Sequence, residues 1–352
     1  MSNVSLLYLL ETCRTDRTKE NYITRLKKFQ NHIGMELDDF IVLDHKTIEK
    51  MIIEFILTVK REHNPNSVPT YLSPVKSYLE MNDIILNWKK LFRFFPTKIK
   101  LSGQSAWTTE DIQKMLSVSK KISTIAIIHV LASTGCRIGG ISELKIKDIV
   151  DVEHGCKMIK VYAGDKEEYT TFLTPEASFA YEQHIKFRRD GGENITPDSY
   201  VFATRKDHKK INRHSLYMIM KYVVENANVR GIMLSGDLKG GRYKTQLMHG
   251  FRKRFNTVMK LNSNVNDNAI EKMLGHKNGL DGTYLQITDE VLLEHFMKGI
   301  IDLTVSDDHR LRLEKIELEH DKEAMEDRYE IRLRALERKT TAVHNTGWSD
   351  DG

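Results

Sequence analysis

Six side chains in this sequence are of types that together could cleave and rejoin a phosphodiester. They are two arginines, two histidines, a tyrosine and a lysine: Arg137, Arg252, His249, His276, Tyr284 and Lys166. Guanidinium groups bind phosphate oxygens in pairs and stabilise the charge that builds up in a five-coordinate transition state. A tyrosine hydroxyl becomes a useful nucleophile when a histidine assists it, and a lysine can protonate the leaving 5′ hydroxyl. Such chemistry requires no metal and no other cofactor.

Two of the six residues follow predicted helix ends. In Thr134-Gly135-Cys136-Arg137 the glycine ends a buried helix over Ser123–Ser133, and a new helix runs through Ile141–Leu144. In Leu274-Gly275-His276 another helix ends at a glycine. Tyr284 then follows a small polar loop that contains two further glycines, which would let a tyrosine move.

The other residues are predicted on a helix and on a hairpin. A helix over His249 and Arg252 sets both side chains on one face, because residues three apart are neighbours. Lys166 lies in a charged segment, Gly164–Glu168, that separates two predicted strands. Lys160 is close enough in the sequence to compete for the role of Lys166.

The apolar periodicity predicts a mainly α-helical chain with one small antiparallel β-sheet, an α+β fold. The sheet is predicted as a hairpin of Met158–Ala163 and Tyr169–Thr174, which are rich in β-branched and aromatic residues. The first hundred residues are predicted to be helical, beginning with a helix that Thr18 caps and that reaches Ile33. Further helices are predicted at Thr47–Thr58, Val68–Met81, Thr108–Ser117, Pro175–Arg188, Ser215–Ala227, Leu247–Lys260, Asn268–Leu274 and Glu290–Ile301.

These elements divide the chain into four parts. They are a helical domain, a basic linker, a second domain and a charged tail, at residues 1–95, 96–106, 107–304 and 305–352. The tail is predicted to be a solvated helix that becomes disordered from Thr340, and a short coiled coil stays open although Lys322 and Arg332 interrupt its apolar seam. The helix Glu290–Ile301 has more apolar surface than one stripe needs, so part of it is predicted to dock on a neighbouring subunit.

The composition is compatible with a nucleic-acid partner and excludes several other classes. The 352 residues include 54 Lys and Arg against 49 Asp and Glu, a formal net charge of +5. Three cysteines without a C-x-x-C pair predict reduced thiols, and no apolar stretch approaches the roughly 20 residues that span a bilayer. No nucleotide-binding or zinc-protease motif is present. The basic residues cluster as phosphate contacts would, and those predicted to bind DNA are Lys27, Lys28, Lys98, Lys100, Arg242 and Lys244.

The motifs resemble those of the tyrosine recombinases of the phage integrase family, of an archaeal type or from viruses and plasmids. In that family the first catalytic arginine lies in a T-G-x-R turn, before a helix ending in L-x-x-x-D-[IV], which Thr134–Ile149 matches. The family's H-x-x-R matches His249–Arg252, its L-G-H matches Leu274–His276, and its nucleophile matches Tyr284. Its lysine between the second and third strands of the catalytic domain matches Lys166.

The resemblance, which covers roughly residues 104–300, implies a site-specific DNA recombinase. Such an enzyme cleaves and rejoins DNA through a covalent 3′-phosphotyrosine and here would integrate or excise a mobile element. Residues 1–95 would complete a clamp on the duplex. The implied partners are duplex DNA with specific sites, a homotetramer on DNA and accessory DNA-bending proteins, with no membrane. The implied location is the cytoplasm, at the nucleoid, or the host cytoplasm for a virus-encoded protein.

Two features depart from the family pattern. The acidic residue that usually stands three positions after the first arginine is Gly140 here, so Glu143 is predicted to support Arg137 instead. The interval from His276 to Tyr284 is one residue shorter than the commonest family spacing. Delivery of the tyrosine within a subunit or to a neighbour therefore stays open.

Three other functions use related residues. A chromosome- or plasmid-dimer resolvase would use the same chemistry on different sites. A type IB topoisomerase-like enzyme would use the same residue types to release supercoils as a monomer. A non-catalytic DNA-binding protein would use the charged tail for assembly, but the presence of all the reacting residues argues against it.

Overall fold

A computed structural model describes residues 4–97, 105–231, 233–234, 242–276 and 286–346. Contacts between residues group the chain into two compact units. The first unit comprises Met1–Ser102 and Ile232–Tyr243, and the second comprises Gly103–Gly231 and Lys244–Gly352. The four-part division of the chain at residues 95, 106 and 304 stays a prediction.

The N-terminal segment is helical, as the sequence predicts. Aromatic side chains fix its centre, since the Phe29 ring meets the rings of Phe40 and Phe55 edge-on at 5.1 and 5.0 Å. The prediction that Thr18 caps the second helix is wrong, because Thr15 is the cap and its hydroxyl accepts the backbone N–H of Thr18. Within residues 4–97 the α-helices are Val4–Glu11 (α1), Asp16–Ile33 (α2), Leu37–Phe40 (α3), His45–Glu62 (α4), Val68–Met81 (α5) and Trp88–Leu91 (α6).

A three-stranded antiparallel sheet lies in the second unit. Its strands Ile149–Asp151 (β1), Lys157–Val161 (β2) and Tyr169–Leu173 (β3) pair in the order β1-β2-β3. The predicted hairpin is confirmed as β2 and β3, while the short and half-exposed β1 was not predicted. Met233–Leu234 (β4) and Arg242–Tyr243 (β5) form a separate antiparallel pair in the first unit.

The core of the second unit is built around one buried helix. Ile122–Thr134 is apolar on all sides and packs against three other helices and against β3. Thr108 and Asp111 form a capping box at the start of the first helix of this unit. Among the described residues of this unit the α-helices are Thr109–Ser117 (α7), Ile122–Thr134 (α8), Ile138–Glu143 (α9), Pro175–Asp190 (α10), Arg213–Asn226 (α11), His249–Leu261 (α12), Asp267–Met273 (α13), Asp289–Lys298 (α14), Ile300–Leu303 (α15) and Asp307–Thr346 (α16).

The helix predicted over Glu290–Ile301 is divided into α14 and α15 at Gly299. A Cβ on Gly299 would lie 2.4 Å from the Met259 sulfur on α12, so glycine allows the two segments to approach that helix. The apolar residues of α14 and α15 pack into the core of their own chain, where Leu292 and Phe296 are buried. Docking of part of this helix on a neighbouring subunit stays a prediction.

A buried arginine and a buried glutamate hold the junction between α15 and α16. Arg254 on α12 donates to the carbonyls of residues 302–303 at 3.2 and 3.1 Å. Glu176 on α10 is 4% exposed and accepts the backbone N–H groups of residues 305–306 at 2.6 and 2.9 Å. These bonds satisfy backbone groups on both sides of the junction and fix where α16 begins.

The charged tail is a helix that extends farther than predicted. Helix α16 continues to Thr346, so the prediction of disorder from Thr340 is wrong as far as that residue, and residues 347–352 lie outside the description. Its exposed surface agrees with the predicted solvated helix. Although α16 has 40 residues, neither it nor any other described helix is apolar enough over a sufficient length to cross a membrane.

We expect Glu176→Gln to lower the free energy of unfolding by about 1–3 kcal/mol. The amide offers one acceptor oxygen where the carboxylate offers two, so a buried backbone N–H loses its partner. Urea unfolding of the full chain measures the change. Glu153→Gln, at a side chain that is 83% exposed, is the matched control and should leave stability unaltered. Equal stability of the two variants would contradict the role given to Glu176.

Candidate active site

Arg137 lies between the ends of two helices, as predicted. Helix α8 ends at Thr134, Gly135 adopts a left-handed φ of 57°, and Arg137 is the N-cap residue of α9. A Cβ on Gly135 would lie 2.8 Å from Cβ of Phe255, so the glycine also lets α12 approach. The Arg137 side chain is exposed, which leaves its guanidinium accessible to a phosphate.

His249 and Arg252 share the first turn of α12, and Trp107 anchors that turn. The buried Trp107 indole donates its N–H to the Leu247 carbonyl at 2.9 Å. The Trp107 backbone N–H donates to the Gly250 carbonyl at 3.3 Å. A Cβ on Gly250 would lie 2.5 Å from the indole nitrogen, so glycine is needed for this packing. The position of α12 along its axis is thereby fixed, and with it the two predicted site residues.

The Arg252 guanidinium joins the other segments of the site. It is 5% exposed and donates through Nη1 to the Gly135 carbonyl at 3.2 Å. Through Nη2 it donates to the Leu274 carbonyl and to Nε2 of His276, the latter at 2.7 Å. The acceptors come from the turn after α8 and the turn after α13. Arg252 therefore ties the segment that carries Arg137 to the segment that carries His276.

A glutamate that was not predicted orients His276. Since Nε2 of His276 accepts from Arg252, its Nδ1 carries the proton and donates to Glu271 Oε2 at 2.5 Å. The second oxygen of Glu271 accepts from Lys260 at 2.5 Å. Burial opposes ionisation of Glu271, but the hydrogen bonds from Lys260 and His276 outweigh it and lower the pKa of the carboxyl. Glu271 lies on α13, five residues before His276, and this position is the feature of the sequence that could have identified it.

Tyr169, at the start of β3, forms the base of the site. A Cβ on Gly275, whose φ is 63°, would lie 2.4 Å from Cδ1 of Tyr169. Burial raises the pKa of the Tyr169 hydroxyl, which lies near Cys136 and Arg252. No motif in the sequence identified this tyrosine, since the contact depends on how β3 packs against the turn after α13.

The cationic groups of the site are close enough to alter one another's ionisation. Burial lowers the pKa of His249, and the nearby charges of Lys253, Arg252 and Arg137 lower it further. Burial and then the charge of Arg137 lower the pKa of Arg252. Within the described residues no group of three or more His, Cys, Asp or Glu side chains could hold a metal ion. Arg137, Arg252 and Lys253 supply positive charge to an anion here.

The remaining predicted site residues are two candidate lysines on the β2–β3 hairpin and the predicted nucleophile, Tyr284. Lys166 is exposed at the tip between β2 and β3. Lys160 is exposed on β2, opposite Thr170, and remains a competitor for the same role. Tyr284 lies outside the described residues. The structure thus brings together Arg137, His249, Arg252 and His276, and the catalytic roles of all six residues stay predictions.

The structure accounts for the glycine at the position where the family usually has an acidic residue. A Cβ on Gly140 would lie 2.5 Å from Cγ1 of Val161 on β2, so no side chain fits there. The predicted substitute, Glu143, is wrong, because its carboxylate forms an ion pair with Lys210 at 2.9 Å. Among the described residues no side chain hydrogen-bonds to the Arg137 guanidinium, which is held by its position at the start of α9.

The residues predicted to bind DNA differ in their surroundings. Lys27 and Lys244 are exposed. Lys28 is engaged within its own unit by Glu62 at 3.5 Å and by His63. Arg242 pairs through its backbone with β4, and its side chain, together with Lys98 and Lys100, lies outside the description. All six assignments stay predictions.

Comparison with known proteins shows which family the chain resembles. The sequence profile of the phage integrase family matches residues 106–284. Tyrosine recombinase XerA of Pyrococcus horikoshii is 23% identical over 288 residues, 80% of this chain and 91% of that protein. A structure of XerH site-specific recombinase bound to difH substrate has a TM-score of 0.56 at 16% identity, covering 80% of this chain and 81% of that chain. A lambda integrase (75–356) dimer bound to a COC′ core site has a TM-score of 0.54 at 16% identity, covering 81% and 96%.

The two structural similarities establish the fold, and the profile match covers about half of the chain. The mainly helical fold with a small antiparallel sheet, predicted from the sequence, is confirmed. The chain belongs to the phage integrase family. It is a tyrosine recombinase, an enzyme that exchanges DNA strands in site-specific recombination.

We expect cleavage rates to fall in the order unaltered chain, Glu271→Gln, Glu271→Ala. The amide retains an acceptor for Nδ1–H of His276 but loses the charge, whereas alanine frees the imidazole ring. A loss of about 10- to 100-fold in the alanine variant is expected, by analogy with residues that orient metal-bound histidines. Single-turnover cleavage of a suicide DNA substrate measures the rate.

The graded series separates orientation from stability. Glu294→Gln, at an exposed carboxylate on α14, should cleave at the unaltered rate. Affinity for DNA and urea unfolding are measured alongside, and both should change less than the cleavage rate. Cleavage by Glu271→Ala that equals that of Glu271→Gln would contradict the orienting role.

Proposed function

We propose that the protein is a site-specific recombinase that integrates or excises a mobile element through a covalent bond between Tyr284 and a DNA 3′ phosphate. The observation that carries the proposal is the cluster of Arg137, His249, Arg252 and His276, joined by the 2.7 Å contact between Arg252 and His276. These are the positions at which the family motifs place catalytic groups.

The two arginines bind and polarise the scissile phosphate. Arg252 is held by backbone carbonyls, so its guanidinium does not need to reorganise when charge develops on the phosphate oxygens. Arg137 is exposed at the start of α9 and supplies a second fork from the opposite segment. Two guanidinium groups on one phosphate stabilise the additional charge of the five-coordinate transition state.

The proton transfers are divided among the other residues. Tyr284 loses its proton as it attacks phosphorus, and the bond from phosphorus to the 5′ oxygen breaks. His249 has a lowered pKa and is therefore neutral near pH 7, which suits a proton acceptor. Lys166 at the hairpin tip protonates the leaving 5′ oxygen. Rejoining reverses these steps with a 5′ hydroxyl as nucleophile, so no nucleotide cofactor is consumed.

The proposed partner is duplex DNA that carries specific recombination sites. Exposed basic side chains in both units, such as Lys27 and Lys244, supply contacts to DNA phosphates. Such contacts position the protein on the duplex without specifying a base sequence. Two duplexes require four strand exchanges, so the proposed working unit is a homotetramer on DNA, assisted by DNA-bending proteins. The likeness to a lambda integrase dimer bound to a core site supports an assembly of copies on DNA.

Recombination and simple relaxation are separated by two assays. The protein is incubated with a plasmid carrying two candidate attachment sites in direct repeat, and with a supercoiled plasmid that lacks them. A recombinase yields two circles from the first plasmid. Relaxation of both plasmids without circle formation would favour the topoisomerase-like alternative.

We expect Tyr284→Phe to bind DNA with unaltered affinity and to form no covalent adduct. Removal of the hydroxyl eliminates the nucleophile and leaves the phosphate-binding groups intact. Denaturing gels of a suicide substrate detect the adduct. Tyr222→Phe, at a tyrosine that is 68% exposed on α11, is the control and should form the adduct normally. An adduct with Tyr284→Phe would show that another residue is the nucleophile.

We expect Arg252→Lys to reduce the cleavage rate by about 10²–10³-fold, which corresponds to about 2.7–4 kcal/mol, by analogy with loss of an oxyanion donor. An ammonium group cannot serve two carbonyls, a histidine and a phosphate together. Arg254→Lys is a matched control, since this buried arginine on the same helix contacts residues 302–303 instead. It should lose stability and retain cleavage per folded molecule. Similar cleavage losses in both variants would contradict the assignment.

A further inference from the structure

Helix α16 carries a solvent-exposed apolar stripe. Leu318, Met325, Tyr329 and Leu336 are 69%, 53%, 64% and 55% exposed. At 3.6 residues per turn the four side chains lie within about 20° of one line along the helix. Their spacings of seven, four and seven residues are symmetric about Asp327. A stripe with this symmetry fits a copy of itself that runs in the opposite direction.

The charges of α16 have a matching polarity. Residues 307–326 contain eight acidic and four basic residues, whereas residues 328–346 contain two acidic and five basic residues. A parallel pair of these helices would place the acidic halves together and the basic halves together. An antiparallel pair places each acidic half beside a basic half, so the charges favour the same direction as the stripe.

We propose that α16 pairs in antiparallel orientation with α16 of a second copy of this chain, about a twofold axis near Asp327. In this register Leu318 packs against Leu336 of the second copy, and Met325 packs against Tyr329 of the second copy. Each contact occurs twice because the interface is isologous. The occupant of the exposed stripe is thus a second copy, and the interaction does not depend on DNA.

The residues beside the stripe support this register. On one flank Asp321 comes opposite Arg328 and Arg332 of the second copy. On the other flank Lys322 comes opposite Glu330 of the second copy. On each flank these contacts pair an acidic residue of one copy with a basic residue of the other, as in antiparallel coiled coils with complementary flanking charges.

The same register makes the pair weak by itself. Lys322 and Arg332 border the stripe and narrow its apolar surface, and near the twofold axis Glu326 and Arg328 each approach their own copies. A weak contact is most effective between copies that other interactions already hold together, because the effective concentration is then high. Since Arg254 and Glu176 fix the start of α16 on its own core, pairing of α16 joins two catalytic units.

Disulfide cross-linking tests both the contact and its direction. In a full-length Cys13→Ser background, Leu318→Cys and Leu336→Cys chains are prepared separately and then mixed under mild oxidation without DNA; the other cysteines, Cys136 and Cys156, are buried. We expect a cross-linked dimer from the mixture and little from either chain alone. Dimers formed by Leu318→Cys alone would indicate a parallel pair and overturn the proposal, as would the absence of any cross-link.

A substitution pair tests the face of the helix. Met325→Glu places a charge in the central layers and should weaken self-association, measured by sedimentation at increasing protein concentration, by about tenfold or more. Ile316→Glu is the matched control, because Ile316 is 60% exposed on the opposite face and should leave association unaltered. Equal association of the two variants would overturn the proposal. So would a loss of DNA affinity in Met325→Glu with unaltered self-association, which would assign α16 to DNA.

Discussion

The burial of the Arg252 guanidinium is the constraint on which the rest of the site depends. A guanidinium that is 5% exposed must find acceptors, because an unpaired buried cation is costly. The acceptors are carbonyls left free at two helix ends, at Gly135 and Leu274, and the imidazole of His276. Satisfying one cation therefore brings the turn after α8 and the turn after α13 against α12. The geometry of the candidate site and the packing of the second unit are stabilised by the same hydrogen bonds.

Close approach of these segments requires small residues at each crossing. Gly135 admits α12, Gly250 admits the Trp107 indole, and Gly275 admits the Tyr169 ring, each at a distance where a Cβ would clash. Gly140 belongs to the same pattern, since Val161 fills the space in which the family's usual acidic side chain would begin. The absence of an acidic side chain at this position is therefore a consequence of how β2 packs on α9. The position of Arg137 depends on its backbone instead of on a neighbouring carboxylate.

Local sequence patterns predicted the parts of the site that lie at helix ends. The glycines after α8 and α13 located Arg137 and His276, and the three-residue spacing placed His249 with Arg252. Residues that join the site through tertiary packing could not be found in this way, as Tyr169 illustrates. The apolar surface of α14 shows the same limit, because periodicity shows how much surface must be covered but not which chain covers it, and much of that surface packs into the core of its own chain. The α-helical N-terminal unit and the hairpin follow from periodicity alone, whereas β1 is too short to give a signal.

The excess of positive charge in the site has a consequence for its resting state. Burial and then the charge of Arg137 lower the pKa of Arg252, and burial followed by the charges of Lys253, Arg252 and Arg137 lowers the pKa of His249. The carboxylate of Glu271 is in direct contact with His276 and is shared with Lys260, so it offsets part of that charge. A phosphodiester monoanion would offset part of this positive charge, and the more negative transition state would offset more of it. A site that is strained by its own charge before DNA arrives gains most from the species with the greatest negative charge, which is the five-coordinate phosphorane along the reaction path.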